Sequence, residues 1–187
     1  MITPNRNTHV GIIGRWRPVH LGHQAALHAL CEQFEHVSVG IGSANIYDYR
    51  NPFTLDEVQE MVELALNGYK NYSLAPIPDT PDEDQWRSLA QDALGDPDLL
   101  VTANPYVAAM LDGIWPLAHP VEFIPEERKV PVSGSMLRRR LADGGEWQEL
   151  VPPEIARYMI DHQLDQRFRA EFGLHTLALD AIIIGER

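Results

Sequence analysis

The sequence predicts a doubly wound α/β fold: a parallel sheet of about five strands with helices on both faces, followed by a helical C-terminal part. Three observations predict it. Short, continuous apolar runs of the kind that fill buried parallel strands recur through the first two thirds of the chain. Segments of helical periodicity alternate with them. At the end of the first run a glycine-bearing loop leads straight into a helix, the junction at which such folds open their ligand crevice. The 187 residues, 44% hydrophobic and 22% charged, suit one globular domain plus a short tail.

The first strand is read at HVGIIG (9–14) and the first helix at 22–34, where Ala26, Leu27, Leu30, Cys31 and Phe34 share one face. Cys31 is the only cysteine and is read as core packing, not as a thiol nucleophile. With no disulfide framework possible, the expected compartment is the cytoplasm. VSVGIGS (37–43) is the second strand, and the helix at 54–66 opens on Thr54 and Glu57, spaced as a capping box. YSLAPIP (72–78) and DLLVTA (98–103) give the third and fourth strands, with helices at 83–94 and 104–112. VEFIP (121–125) is expected to be the fifth. Beyond Pro125 the pattern turns helical at 133–145, after a serine cap, and at 152–168, whose prolines suit a first turn. The closing run LHTLALDAIIIGER (174–187) reads as a strand again, while Trp115 and Trp147 read as packing residues. Together these elements describe a Rossmann-like order.

Charge narrows the possible ligands. Asp and Glu number 27 against 15 Lys and Arg, a net charge of −12, which argues against a nucleic-acid-wrapping surface. The basic clusters Arg15/Arg17 and Arg138–Arg140 instead suit a compact anion. MITPNRNTHV has no apolar signal core, and no run approaches the ~20 apolar residues of a membrane span.

The loop GRWRPVHLGHQ (14–24) joins the first strand to the first helix, whose N-terminus offers N–H donors and a positive dipole end. Gly14 permits a sharp exit from the strand, Pro18 stiffens the loop, and Gly22 allows close approach. His20 and His23 can both face a bound group and donate to oxygens that gain charge, with Arg15 adding a bidentate contact. Two further readings stay open on spacing alone: a polar turn with satisfied histidines, and a metal site, which lacks a nearby Asp, Glu or Cys. A second helix start, VSGSMLRRR, places Ser133 and Ser135 ahead of Arg138, where a triphosphate could be wrapped; its alternative is a serine-capped helix with a solvated arginine face.

These segments resemble those of the HxGH nucleotidyltransferases, and within them the archaeal-type nicotinamide mononucleotide (NMN) adenylyltransferases. GRWRPVHLGH is similar to the family's GRFQPxHxGH, and GSAN, NPFT (51–54), IPD (77–79) with Trp86, ANPYV (103–107) and SGSMLRRRLADGGEWQELVP follow in the family's order. The resemblance implies a nucleotidyltransferase domain over 1–168 that joins ATP and NMN into NAD and pyrophosphate, with magnesium or another divalent cation carried on the ATP phosphates and no metal held by the protein. It implies ATP contacts from Gly14, Arg15, His20, Gly22, His23, Ser133, Ser135 and Arg138, of which His20, His23, Arg15 and Arg138 serve catalysis. Trp86 would stack on the pyridine ring, and Asn104, Arg17 and Arg50 would line the substrate side. For Trp86 the alternative is a core aromatic, for Asn104 a plain helix cap.

Three residues depart from the family pattern: Arg17 stands where glutamine is usual, Leu21 replaces a frequent lysine and Ser135 replaces a threonine. Rival activities are a sibling transferase with another phosphorylated acceptor and a catalytically silent nucleotide sensor. The tail at 169–187 resembles the opening strand of a Nudix domain, as in bifunctional fusions, although no Nudix box is present. An exposed apolar strand there would favour a homo-oligomer.

Overall fold

The computed structural model describes the backbone of residues 8–185 and the side chains of 8–179. The expected lack of a signal core bears largely on residues 1–7, which lie outside the described residues, as do the last two residues of the tail. Strands β1 (His9–Gly14), β2 (His36–Gly42), β3 (Tyr72–Ile77), β4 (Leu99–Val101) and β5 (Leu117–Ala118) form one parallel sheet in the order β3-β2-β1-β4-β5. β1 pairs with β2 from His9↔His36 to Gly14↔Ile41 and with β4 from Val10↔Leu99 to Ile12↔Val101. The strand order therefore reverses at β1, which makes its carboxyl end the topological switch point. Val10, Val37, Val39, Ile41, Leu100 and Val101 are wholly buried, as a parallel sheet requires.

Seven helices are described: α1 (Leu21–Gln33), α2 (Leu55–Ala65), α3 (Glu83–Leu94), α4 (Pro105–Leu111), α5 (Gly134–Asp143), α6 (Pro153–Asp161) and α7 (Leu164–Gly185). Their starts follow capping chemistry. The Glu57 N–H donates to Thr54 Oγ1 (3.3 Å) while the Thr54 N–H donates to Glu57 Oε2 (2.9 Å), closing the expected capping box. Asp82 accepts from the Asp84 and Gln85 N–H groups ahead of α3. α5 ends on Gly144 in the left-handed region (φ 74°), a backbone that glycine takes without steric cost.

The chain divides into two compact units: residues 1–15, 25–46 and 66–129, and residues 16–24, 47–65 and 130–187. The first holds the sheet and a core in which Ile77, Trp86, Leu94, Leu100, Leu111 and Trp115 are buried together. In the second, Phe53 and Phe168 are wholly buried with ring centroids 6.4 Å apart, alongside Leu137, Leu141, Trp147, Ile155 and Met159. Arg167 of α7 grips the capping-box carboxylate of Glu57 through both Nη1 and Nη2, each at 2.6 Å. No helix among the described residues is long and apolar enough to cross a membrane.

Three expectations are corrected. VEFIP forms no strand: the fifth strand is Leu117–Ala118, and His119 then caps a 3-10 turn at Pro120–Glu122, with reciprocal bonds between His119 and its third turn residue. Pro120 has no N–H for a ladder, so the turn prevails over the apolar content. The helix expected at 152–168 is two helices, broken where Gln163 takes φ 55°. The tail is no strand either, because α7 continues through it to Gly185. Leu164 and Phe168, four residues apart, are buried with Phe172 half-buried one turn on, so a helix already seated propagates into the tail. The boundary drawn at 168/169 thus falls inside α7.

Candidate active site

His20 and His23 are three residues apart because they cap a helix. His20 immediately precedes α1, and its carbonyl accepts the Gln24 N–H at 3.0 Å. Its Nδ1 accepts the His23 N–H at 3.2 Å, and His23 Nδ1 in turn lies 3.4 Å from the His20 N–H. This is a capping box built from two imidazoles. The rings stack with centroids 3.5 Å apart and planes at 15°, and Trp16 meets the His23 ring edge-on at 4.9 Å.

The box fixes the tautomers. With Nδ1 accepting, each neutral ring carries its proton on Nε2, so the proton-bearing atom points away from the helix. His20, 6% exposed, has its pKa pushed down to about 4, first by burial and then by the Arg138 guanidinium. His23 is held well below the usual histidine range by burial, then by His20 and Arg138, while a hydrogen bond to the Pro18 backbone opposes them. Both rings are neutral donors at neutral pH.

Gly22 leaves room for the His20 ring in this turn. A Cβ there would stand 3.2 Å from His20 Nδ1, 3.3 Å from its Cε1 and 3.5 Å from the Val132 carbonyl oxygen. Val132 leads into the second expected anion site. Ser133 caps α5 by accepting the Met136 N–H at 3.2 Å, and Arg138 turns back from the next turn. Its Nη1 donates to the Arg17 carbonyl at 3.2 Å, and its Nη2 lies 3.4 Å from Ser135 Oγ. The starts of α1 and α5 thus converge within the second unit. Neither has an acidic residue in its first turn, whereas α2 and α3 do. Both leave the positive ends of their dipoles for an external anion.

The other expected residues are placed as follows. Arg17 is 2% exposed, and its Nη1 donates to Asn51 Oδ1 at 2.9 Å. Arg50 is exposed, with its guanidinium 5.3 Å above the Tyr49 ring. Arg15 is exposed and Gly14 closes β1; both belong to the first unit. So do Trp86 and Asn104. Trp86 is 8% exposed within the core cluster, which is the packing alternative weighed for it. Asn104 accepts the Tyr106 N–H at 3.0 Å as the cap of α4. Burial pushes the Cys31 thiol up to about 12, so it is no nucleophile.

Sequence reasoning missed three participants. Trp16 adopts φ 56°, a left-handed backbone costly for a bulky residue, in the middle of the loop. Asn51 is 5% exposed and receives Arg17. Gln24 Nε2 donates to Glu154 Oε1 at 2.9 Å, tying α1 to α6. Among these, the unusual loop tryptophan at 16 was a visible signal; the others depend on residues distant in sequence.

A family model described as Cytidylyltransferase-like matches residues 12–140. Among curated relatives, the chain is 34% identical over 151 residues to the nicotinamide-nucleotide adenylyltransferase of Thermococcus onnurineus, covering 79% of each. It is 32% identical over 163 residues to the enzyme of the same description from Pyrococcus furiosus, covering 84% of this chain and 85% of that one. Among solved structures, its fold is similar to a bifunctional NMN adenylyltransferase/ADP ribose pyrophosphatase from Francisella tularensis complexed with AMP and Mn ion, with TM-score 0.67 and 18% identity. That match covers 96% of this chain but 56% of the other, so the chain spans little more than half of that longer protein.

Proposed function

The chain belongs to the cytidylyltransferase-like family, alongside nicotinamide-nucleotide adenylyltransferases, and from that premise we propose that it transfers AMP from ATP to NMN, giving NAD and pyrophosphate. The observation that carries this reading is the convergence of two acid-free helix starts, joined by the Arg138 to Arg17 carbonyl bond of 3.2 Å. Such a site holds a polyphosphate by dipoles, N–H groups and guanidinium charge.

An NMN 5′-phosphate oxygen attacks the α-phosphorus of ATP in line, the bond to the β-phosphate oxygen breaks, and pyrophosphate leaves. Positioning and charge stabilisation suffice, with no covalent enzyme intermediate. His20 donates from Nε2–H to an α-phosphate oxygen, and His23 supports it across the stacked pair. Because these rings are neutral, positive charge comes from Arg138 and Arg15. Ser133, Ser135 and the start of α5 take the outer phosphates, while Gly14 and Gly22 keep the approach open. Trp86, Asn104, Arg17 and Arg50 are assigned to the NMN side. The divalent cation arrives on ATP as part of the substrate.

We place the reaction in the cytoplasm. We also propose a homo-oligomer, with Leu174, 87% exposed on α7, at a contact between copies; light scattering of Leu174→Glu should show a smaller particle, and an unchanged size refutes it. The assignment of His20 is tested by NAD formation: His20→Ala should lose roughly 10²- to 10³-fold in kcat, the scale of one lost transition-state donor. Near-normal turnover would remove His20 from the mechanism.

A further inference from the structure

Arg17 is the loop residue that adds a positive charge to the family pattern, and the structure surrounds it with a dedicated anchor. Its guanidinium is almost wholly buried, with Nη1 donating to Asn51 Oδ1 at 2.9 Å. Asn51 is itself 5% exposed. Its amide has no choice of orientation: Nδ2 donates to Asp48 Oδ1 at 3.0 Å, and because an ionised carboxylate only accepts, the amide oxygen must face Arg17.

Asp48 is fixed in turn. Its Oδ1 also accepts the N–H groups of Arg50 (2.8 Å) and Asn51 (2.7 Å), and its backbone pairs both ways with Asn51 in a closed turn. Flanking side chains brace that turn against α7: Tyr47 donates to Glu171 Oε2 at 2.6 Å, and the Tyr49 ring lies 4.3 Å from the His175 ring. At the other end, the Arg17 backbone carbonyl receives Arg138 Nη1. One residue therefore links a rigid turn, by its side chain, to the guanidinium of the phosphate site, by its carbonyl.

We propose that Asn51, oriented by Asp48, is a positioning residue for adenylyl transfer: it sets Arg17, whose carbonyl sets Arg138. This rests on the proposed adenylyltransferase reading. Neither Asn51 nor Asp48 touches the reacting atoms. Their effect passes through Arg17, so it exists only while Arg17 can receive it.

The experiment is a double-mutant cycle on NAD formation from ATP, magnesium and NMN, using wild type, Asn51→Ala, Arg17→Gln and the double variant, each checked for folding by circular dichroism. Asn51→Ala should lower kcat by about tenfold, the scale of one hydrogen bond to a charged group, and should raise KM for NMN as well, since the Arg17 it releases is assigned to the NMN side. In the Arg17→Gln background it should lower kcat less than twofold further. Multiplication of the two single effects would overturn the proposal, as would an unchanged kcat in Asn51→Ala, because a merely structural residue changes the amount of folded enzyme and not its turnover. If Asn51→Ala does not fold, Asp48→Ala, which removes the tether on the amide nitrogen, runs the same cycle with the same criteria; Asp48→Asn, which keeps an acceptor for the amide, should restore most of the lost kcat. Absence of NAD with wild type would refute the adenylyltransferase reading itself, an outcome distinct from multiplication within an active series.

Discussion

Gly22→Ala separates activity from stability in a way the geometry dictates. The new methyl would sit 3.2 Å from His20 Nδ1 and 3.3 Å from Cε1, a few tenths of an ångström inside ordinary contact. Retreat toward the Val132 carbonyl is closed at 3.5 Å, so the imidazole must yield. A shift of that size takes the 3.2 Å bond from the His23 N–H to or past the limit of hydrogen bonding. The lost cap costs about 1 kcal/mol. Alanine in the first turn recovers up to about 1 kcal/mol of helix propensity relative to glycine. Net stability should therefore stay within about 1 kcal/mol of wild type, a small change in Tm. Turnover should fall: the same displacement shifts the Nε2–H donor from the α-phosphate by a few tenths of an ångström, and with a 1 Å error costing about 10²-fold, kcat should drop by up to about tenfold. Thermal unfolding and kcat for NAD formation, measured on one preparation, give both numbers. Wild-type turnover in Gly22→Ala would refute the account of why glycine stands between the histidines.

Acid stability gives a second prediction. His20 has a folded pKa of about 4 against an unfolded value near 6.5, so the unfolded chain binds the extra proton between those pH values. The His20 contribution, present above pH 6.5, is lost progressively as pH falls toward 4, by about 3 kcal/mol; urea titrations across that range should show the loss, and His20→Asn, which keeps a capping side chain, should reduce it to the part due to other groups such as His23. Glu57→Gln removes the charge that Arg167 grips at 2.6 Å and should cost about 2 kcal/mol by urea unfolding, with kcat unaffected; an unchanged midpoint would show the pair to be idle. Chelation of divalent cations should abolish turnover and leave the Tm of the ligand-free protein unchanged, since the cation arrives on ATP; a lowered Tm would point to a metal held by the protein itself. Trp86→Phe should raise KM for NMN without raising KM for ATP, and equal effects on both would reduce Trp86 to the packing role its burial shows.

The strands β1, β2 and β4 were legible because their apolar runs are buried on both sides and bounded by turn residues, and the edge strand β3 because its short run is bounded by turn residues. VEFIP misled because its apolar content outweighs, by eye, the proline and the histidine cap that precede it. The tail misled for a related reason: its closing AIII run has the β-branched content of a strand, and its continuity with Leu164 and Phe168 makes it a helix. That His20 and His23 meet at the start of the first helix was readable from their position, but not that they form a capping box, because histidines at those two positions do not match the Ser/Thr and Glu/Gln signature. The role of Asn51 was hidden altogether. Its partner Arg17 lies 34 residues away, and nothing local in NPFT marks the asparagine as more than a turn residue.

The central claim is direct transfer of an adenylyl group between two bound phosphates. Purified protein incubated with magnesium and ATP, with and without NMN, with NAD and pyrophosphate quantified in the same samples, tests it most directly. NAD and pyrophosphate should form in equal amounts when NMN is present, and neither product when it is absent. Pyrophosphate released without NMN, or NMN left unconverted while ATP is intact, would contradict it.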